Sequence, residues 1–123
     1  MAKILSFCNQ KGGVGKTTFS AQFGGLLADM GQKVCLVDAD FQQSLSSYYR
    51  LANQAKHGLT SLITNADPTG CISNTEIPNL DIILSDDPTH KLLDWLKESY
   101  NHTFHLRAAL KKLNTAYDYI IID

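Results

Sequence analysis

Eight consecutive residues, Lys11-Gly12-Gly13-Val14-Gly15-Lys16-Thr17-Thr18, bring three glycines, two lysines and two hydroxyls together between an apolar run and a stretch with helical spacing. The apolar run, Ile4-Leu5-Ser6-Phe7-Cys8, reads as a strand. A strand feeding a glycine loop that opens a helix leaves several backbone N–H groups pointing at one spot, and the positive end of the helix dipole points there too. Such a loop binds a polyphosphate with few side chains. Gly12, Gly13, Val14 and Gly15 form the cradle, the glycines permitting close backbone approach and positive φ. Lys16 is the residue to reach the β- and γ-phosphates, and the Thr17 hydroxyl is the one to ligate Mg²⁺. The spacing departs from the common pattern G-x-x-x-x-G-K-[ST], because Gln10 stands where that pattern has its first glycine. What is present is K-G-G-x-G-K-T. On residue types alone, the other reading is a glycine-rich strand-to-helix turn carrying two surface lysines.

Two further segments carry acidic groups. Val37-Asp38-Ala39-Asp40-Phe41-Gln42-Gln43 follows a second apolar run. Carboxylates just past the C-terminal end of a parallel strand lie on the side where open α/β sheets bind ligands. An Asp/Gln cluster there is also what a helix-capping turn looks like. Tyr117-Asp118-Tyr119-Ile120-Ile121-Ile122-Asp123 is an apolar strand ending in aspartate, the Walker B pattern, whose carboxylate holds Mg²⁺ directly or through a water. Alone that motif is weak; its weight comes from following the other two in order.

Strands and helices alternate, which predicts an α/β fold with a mainly parallel sheet. Strands are expected at about 3–8, 33–37, 80–84 and 119–122, the second continuous enough to be buried on both faces. A helix from Lys16 to Met30 carries Phe19, Phe23, Leu26, Leu27 and Met30 as its apolar stripe. Gly24, Gly25 and Ala28 let it lie close to the sheet, and Gly31 ends it. Short helices are expected at 42–51 and 59–64, with loop and one short strand across 65–79. Asp87-Pro88 opens a helix to about Ser99. A last helix, about 103–115, buries Leu106, Ala109, Leu110 and Leu113.

Composition places limits on function. The chain has 123 residues, 44% hydrophobic and 19% charged, which suits one globular domain. Its formal net charge of −1 makes no electrostatic case for nucleic acid. No apolar run reaches membrane-spanning length, and Met1-Ala2-Lys3 leads directly into the first strand with no room for a signal peptide, so a cytoplasmic location is expected. Cys8, Cys35 and Cys71 form no metal spacing and are expected as reduced thiols, two of them buried. The four histidines (His57, His90, His102, His105) have no ligand spacing, and Trp95 reads as a packing residue.

The three motifs together resemble the ParA/MinD superfamily of nucleotide-dependent switch ATPases, and within it the ParA/Soj-type partition ATPases. The resemblance implies a three-layer P-loop NTPase fold, with ATP and Mg²⁺ as ligands. It implies that Lys11 is the signature lysine of a deviant Walker A loop, reaching across an ATP-dependent homodimer to the partner's phosphates. The other reading of Lys11 is a solvated surface lysine. Thr18 matches a position that helps hold the α-phosphate. Asp38 matches the first aspartate of the family's D-x-D-P-Q segment, which orients the attacking water, and Asp40 matches the second, a further candidate near the metal. Phe41 stands where the family has proline. Lys11, Lys16 and Asp38 are thus the catalytic candidates, with Thr17 and Asp123, the latter through water, as those for Mg²⁺.

Members of this superfamily continue past Walker B, so the chain resembles an N-terminal half of one P-loop domain, truncated after the Walker B strand. The expected partners are a ParB-like activator protein and non-specific DNA, the latter through the C-terminal half. The phosphate-loop strand is expected at an edge of the sheet, where an unpaired strand favours self-association. A MinD-like membrane- or cargo-positioning ATPase is the neighbouring alternative, and a non-catalytic interaction module is the alternative of a different class.

Overall fold

The computed structural model describes residues 2–6, 14–39, 45–86, 98 and 103–123, without the side chains of 14–17 and 103. Along the chain its elements are β1 (Lys3–Ser6), α1 (Val14–Asp29), β2 (Val34–Val37), β3 (Leu51–Asn53), α2 (Leu59–Thr64), β4 (Ile72–Thr75), β5 (Leu80–Ile83), α3 (Thr103–Leu113) and β6 (Tyr119–Ile122). The helix expected at 88–99 lies outside the described residues except for Glu98, which is helical. Six strands form one sheet in the order β1-β6-β2-β5-β4-β3. The pairs β1–β6, β6–β2 and β2–β5 are parallel, and β5–β4 and β4–β3 are antiparallel.

Three layers follow from the alternation of side chains along β2. Val34 and Leu36 join the core shared with α1, through Ala21, Leu27 and Ala28, and with Ile82 and Ile121. Cys35 and Val37 join the opposite core, made with Leu59, Leu62 and Ile63 of α2, Ala109, Leu110 and Leu113 of α3, and Ile83 and Ile120. All four residues of β2 are buried, as its continuous apolar run predicts. Burial pushes the Cys35 thiol far above its ordinary range, with the charge of Asp81 adding to the effect, and burial raises Cys71 as well. Both are free and buried; Cys8 lies outside the described residues.

Two expectations change. The stripe assigned to α1 does not face the sheet: Phe19, Leu26 and Met30 are more than half exposed, and only Leu27 of that set is buried. The buried face is instead made of small residues, Ser20, Ala21, Gly24 and Ala28, with Leu27. At Gly24 a Cβ would come within 2.7 Å of Leu36 Cδ2, so the helix lies too close to β2 for bulk there. Gly31, with φ +87°, ends the turn after α1 as expected. Second, no helix runs through to residue 51. Residues 45–48 form a turn and Leu51–Asn53 is the edge strand β3. Three residues are too few to show a period, and their register comes from pairing with β4.

Gly58 caps α2 beneath the end of β5, where Leu59 N donates to Leu84 O at 2.8 Å. A Cβ at Gly58 would collide with the Leu84 carbonyl oxygen and come within 3.0 Å of Asp86 Cγ. Gly58→Ala is expected to destabilise by about 1–3 kcal/mol through overpacking against backbone. That exceeds the ~0.4–1 kcal/mol returned by restricting the unfolded chain. A fall in urea midpoint with unchanged m checks this.

Candidate active site

The sheet assembles two acidic residues at one edge. Val37 and Ile122 are register partners in the parallel pair β2–β6, and the next residue of each strand is an aspartate. The backbone ties the two ends together: Asp123 N donates to Val37 O at 2.9 Å, and Ala39 N donates to Asp123 O at 2.9 Å. Asp38 N donates to Ile83 O of β5 at 3.0 Å. Leu36 and Ile121 face α1, so alternation carries Asp38 and Asp123, two residues on, to the same face.

Both aspartates are withdrawn from solvent, Asp38 at 0% and Asp123 at 5% exposure. Hydroxyls meet them. Ser20 Oγ, on the sheet-facing side of α1, donates to Asp123 Oδ1 at 3.0 Å. Ser46 donates twice to Asp38 Oδ2, from its backbone N at 2.8 Å and its Oγ at 2.5 Å. Ser46 Oγ in turn accepts from Ser85 N at 3.0 Å. Because β1 runs parallel to β6, with Ser6 opposite Ile122, β1 ends at this same edge.

Of the residues singled out in the sequence, the structure thus brings Asp38 and Asp123 together. The backbone of Val14, Gly15, Lys16, Thr17 and Thr18 forms the first turns of α1, with the Thr18 side chain half-buried. Lys11, Gly12, Gly13, Asp40 and Phe41 lie outside the described residues, as do the side chains of Lys16 and Thr17. Ser20 and Ser46 are absent from the sequence reading. Ser20 left a trace, a hydroxyl at the i, i+4 spacing of Gly24 on the small-residue face of α1. Ser46, within Ser44-Leu45-Ser46-Ser47, left none.

Carboxylate and hydroxyl oxygens are the donors that Mg²⁺ takes. Among the described residues no group of three His, Cys, Asp or Glu side chains could hold a metal by itself. The Asp123 carboxylate and the Ser20 hydroxyl beside it are oxygens of the kind that Mg²⁺ takes where one or two protein groups share the ion with the phosphates of a nucleotide.

A family model described as an AAA domain matches residues 2–123. The sporulation initiation inhibitor protein Soj of Bacillus subtilis is 37% identical over 125 residues, covering 100% of this chain and 49% of Soj. The chain belongs to the ParA/MinD family. Chromosome-partitioning proteins of the ParA and Soj type are among its relatives, with MinD beside them. Cobyrinic acid a,c-diamide synthase from Mycobacterium smegmatis, solved with a bound ATP analog and magnesium, superposes with a TM-score of 0.88 at 26% identity, over 100% of this chain and 51% of that one. A McdA variant from Cyanothece, solved as a complex with ATP, gives 0.81 at 32% identity, over 99% and 47%. The fold is therefore that of the P-loop NTPases, carried by a mixed sheet whose parallel part holds the acidic edge. The chain spans about half the length of the curated relatives it matches. No helix among the described residues is long and apolar enough to cross a membrane.

The Ser20 hydroxyl gives this edge a direct test. Ser20→Ala removes a buried donor from the Asp123 carboxylate and is expected to lower stability by about 1–3 kcal/mol. The same substitution in an Asp123→Ala background should cost less, because its acceptor is already gone, and urea denaturation of the four proteins of this cycle measures the difference.

Proposed function

We propose that this chain is the nucleotide-binding part of an ATP-hydrolysing dimerisation switch in a plasmid- or chromosome-partitioning system. The observation that carries the reading is the pair of buried aspartates at the ends of β2 and β6, on the face of the sheet that α1 covers, with the K-G-G-x-G-K-T string standing at the start of α1 in the sequence. Gly12, Gly13, Val14 and Gly15 cradle phosphates with backbone N–H groups, Lys16 reaches the β- and γ-phosphates, and Thr18 holds the α-phosphate. Thr17 and Asp123, the latter through a water, are the residues to hold Mg²⁺, with Asp40 near it; the ion neutralises polyphosphate charge. Asp38 orients the water that attacks the terminal phosphoryl group. Lys11 acts in the partner's site, stabilising charge on the transferring group in the manner of an arginine finger.

In the full-length protein the output is the lifetime of the ATP-bound homodimer, shortened by a ParB-like activator. That dimer binds non-specific DNA through the part of the protein beyond these residues, in the cytoplasm. Relatives of the partition type support this reading. The MinD relative, at 30% identity, supports the second one, a switch that positions cargo on a membrane.

Single-turnover ATP hydrolysis by the full-length protein tests the roles. Lys16→Ala is expected to lose nucleotide binding. Asp38→Ala and Lys11→Ala are expected to keep binding and lose on the order of 10²-fold or more in rate. Hydrolysis retained in Lys11→Ala removes the cross-dimer role, and no hydrolysis by the wild type returns the chain to a non-catalytic interaction module. ATP-dependent retention on DNA that falls steeply with salt supports partition. Flotation with vesicles and no DNA retention supports membrane positioning.

A further inference from the structure

Ser46 is bonded on both sides by groups that the sequence gives no reason to connect. Its Oγ accepts from the amide of Ser85, just beyond β5, and donates to Asp38 Oδ2, just beyond β2. A hydroxyl has one proton to give, so accepting from an amide that can only donate fixes the direction of the chain: Ser85 N–H to Ser46 O–H to Asp38 carboxylate. The backbone amide of Ser46 donates to the same Asp38 oxygen. Oδ2 thus takes two donors from one residue.

The residues around Ser46 make it a fixed support. Leu45 is fully buried in the core beneath α1. Tyr49 donates its hydroxyl to Ala21 O of α1 at 2.5 Å, above Gly25, where a Cβ would come within 2.8 Å of that hydroxyl. Ser85, itself buried, is followed by Asp86, whose Oδ1 accepts from Thr60 N in the first turn of α2 at 2.8 Å. Ser46 is therefore held to α1 through its neighbours and to the β5–α2 junction through its own hydroxyl. It closes the segment that starts at Asp38 back onto the Asp38 side chain.

We infer that Ser46 is a positioning residue for hydrolysis: it clamps one oxygen of Asp38 and thereby sets the rotamer and direction of the other. The inference rests on the reading of Asp38 as the water-orienting group. A clamp of this kind acts on the chemical step, because the carboxylate must be held within a fraction of an ångström of the productive geometry, and nucleotide binding does not depend on it.

The test uses the full-length protein with ATP and Mg²⁺. Ser46→Ala keeps the backbone donor and removes the hydroxyl, so Oδ2 loses one of the two donors that Ser46 gives it. It is expected to lower kcat about tenfold or more while the affinity for a fluorescent ATP analogue stays within about twofold. Ser46→Thr keeps the hydroxyl and should restore most of the rate. In an Asp38→Ala background, Ser46→Ala should cause no further loss, since it acts through Asp38. A kcat unchanged in Ser46→Ala overturns the inference, as does a loss of equal size with Asp38 already removed, or a Ser46→Thr protein no faster than Ser46→Ala. If Asp38→Ala itself hydrolyses ATP at the wild-type rate, the reading of Asp38 fails instead, and the two failures are told apart by that single variant.

Discussion

Asp38 and Asp123 stand out of water at the ends of neighbouring strands, tied through two backbone hydrogen bonds. Burying a carboxylate costs several kilocalories per mole even after relaxation. Hydrogen bonds to a charged group return about 1.5–3 kcal/mol each, so donors must be brought in from the flanking elements. Ser20 comes from α1 and Ser46 from the turn after β2. α1 and residues 45–49 thus each bring a hydroxyl to one of the two buried acids.

The helix answers that demand by being thin on one side. Ser20, Ala21, Gly24 and Ala28 let its axis come near enough to β2 and β6 for a serine hydroxyl to reach Asp123. A larger residue at Gly24 would meet Leu36, and backing the helix away would break the Ser20 contact. The bulky residues Phe19, Leu26 and Met30 are displaced to the outer face, where Phe19 stacks on Phe23 with ring centroids 6.0 Å apart.

This arrangement explains which parts of the fold were readable in the sequence. Strands β2, β5 and β6 are apolar runs and declared themselves, as did α3, whose Ala109, Leu110 and Leu113 lie where the spacing put them. For α1 the extent was legible and the face was not, because side-chain hydrophobicity points to Phe19 and Met30 while closest approach selects Gly24 and Ala28. Short β3 takes its conformation from β4 and carries no signal of its own. At the candidate site, Asp38 and Asp123 could be singled out because each ends a local string, and the sheet brings the two together. The serine contacts span distances in sequence, 103 residues for Ser20 to Asp123 and 39 for Ser46 to Ser85, and no local pattern encodes them.

The sheet order has a consequence for how the molecule forms. β1 and β2 are separated by one strand's width, and the strand that fills it, β6, is the last of the six in sequence. On a ribosome, the first two strands emerge without a partner between them, and their parallel ladders can close only once residues 119–122 have left the exit tunnel. Asp123 arrives with that closure. The central pairing is therefore of high sequence separation and slow to form, and until β6 inserts, the apolar flank of β2 is a surface for chaperones to cover. The acidic edge comes into being in the same event that completes the sheet, so a half-made chain presents no half-made pair of aspartates.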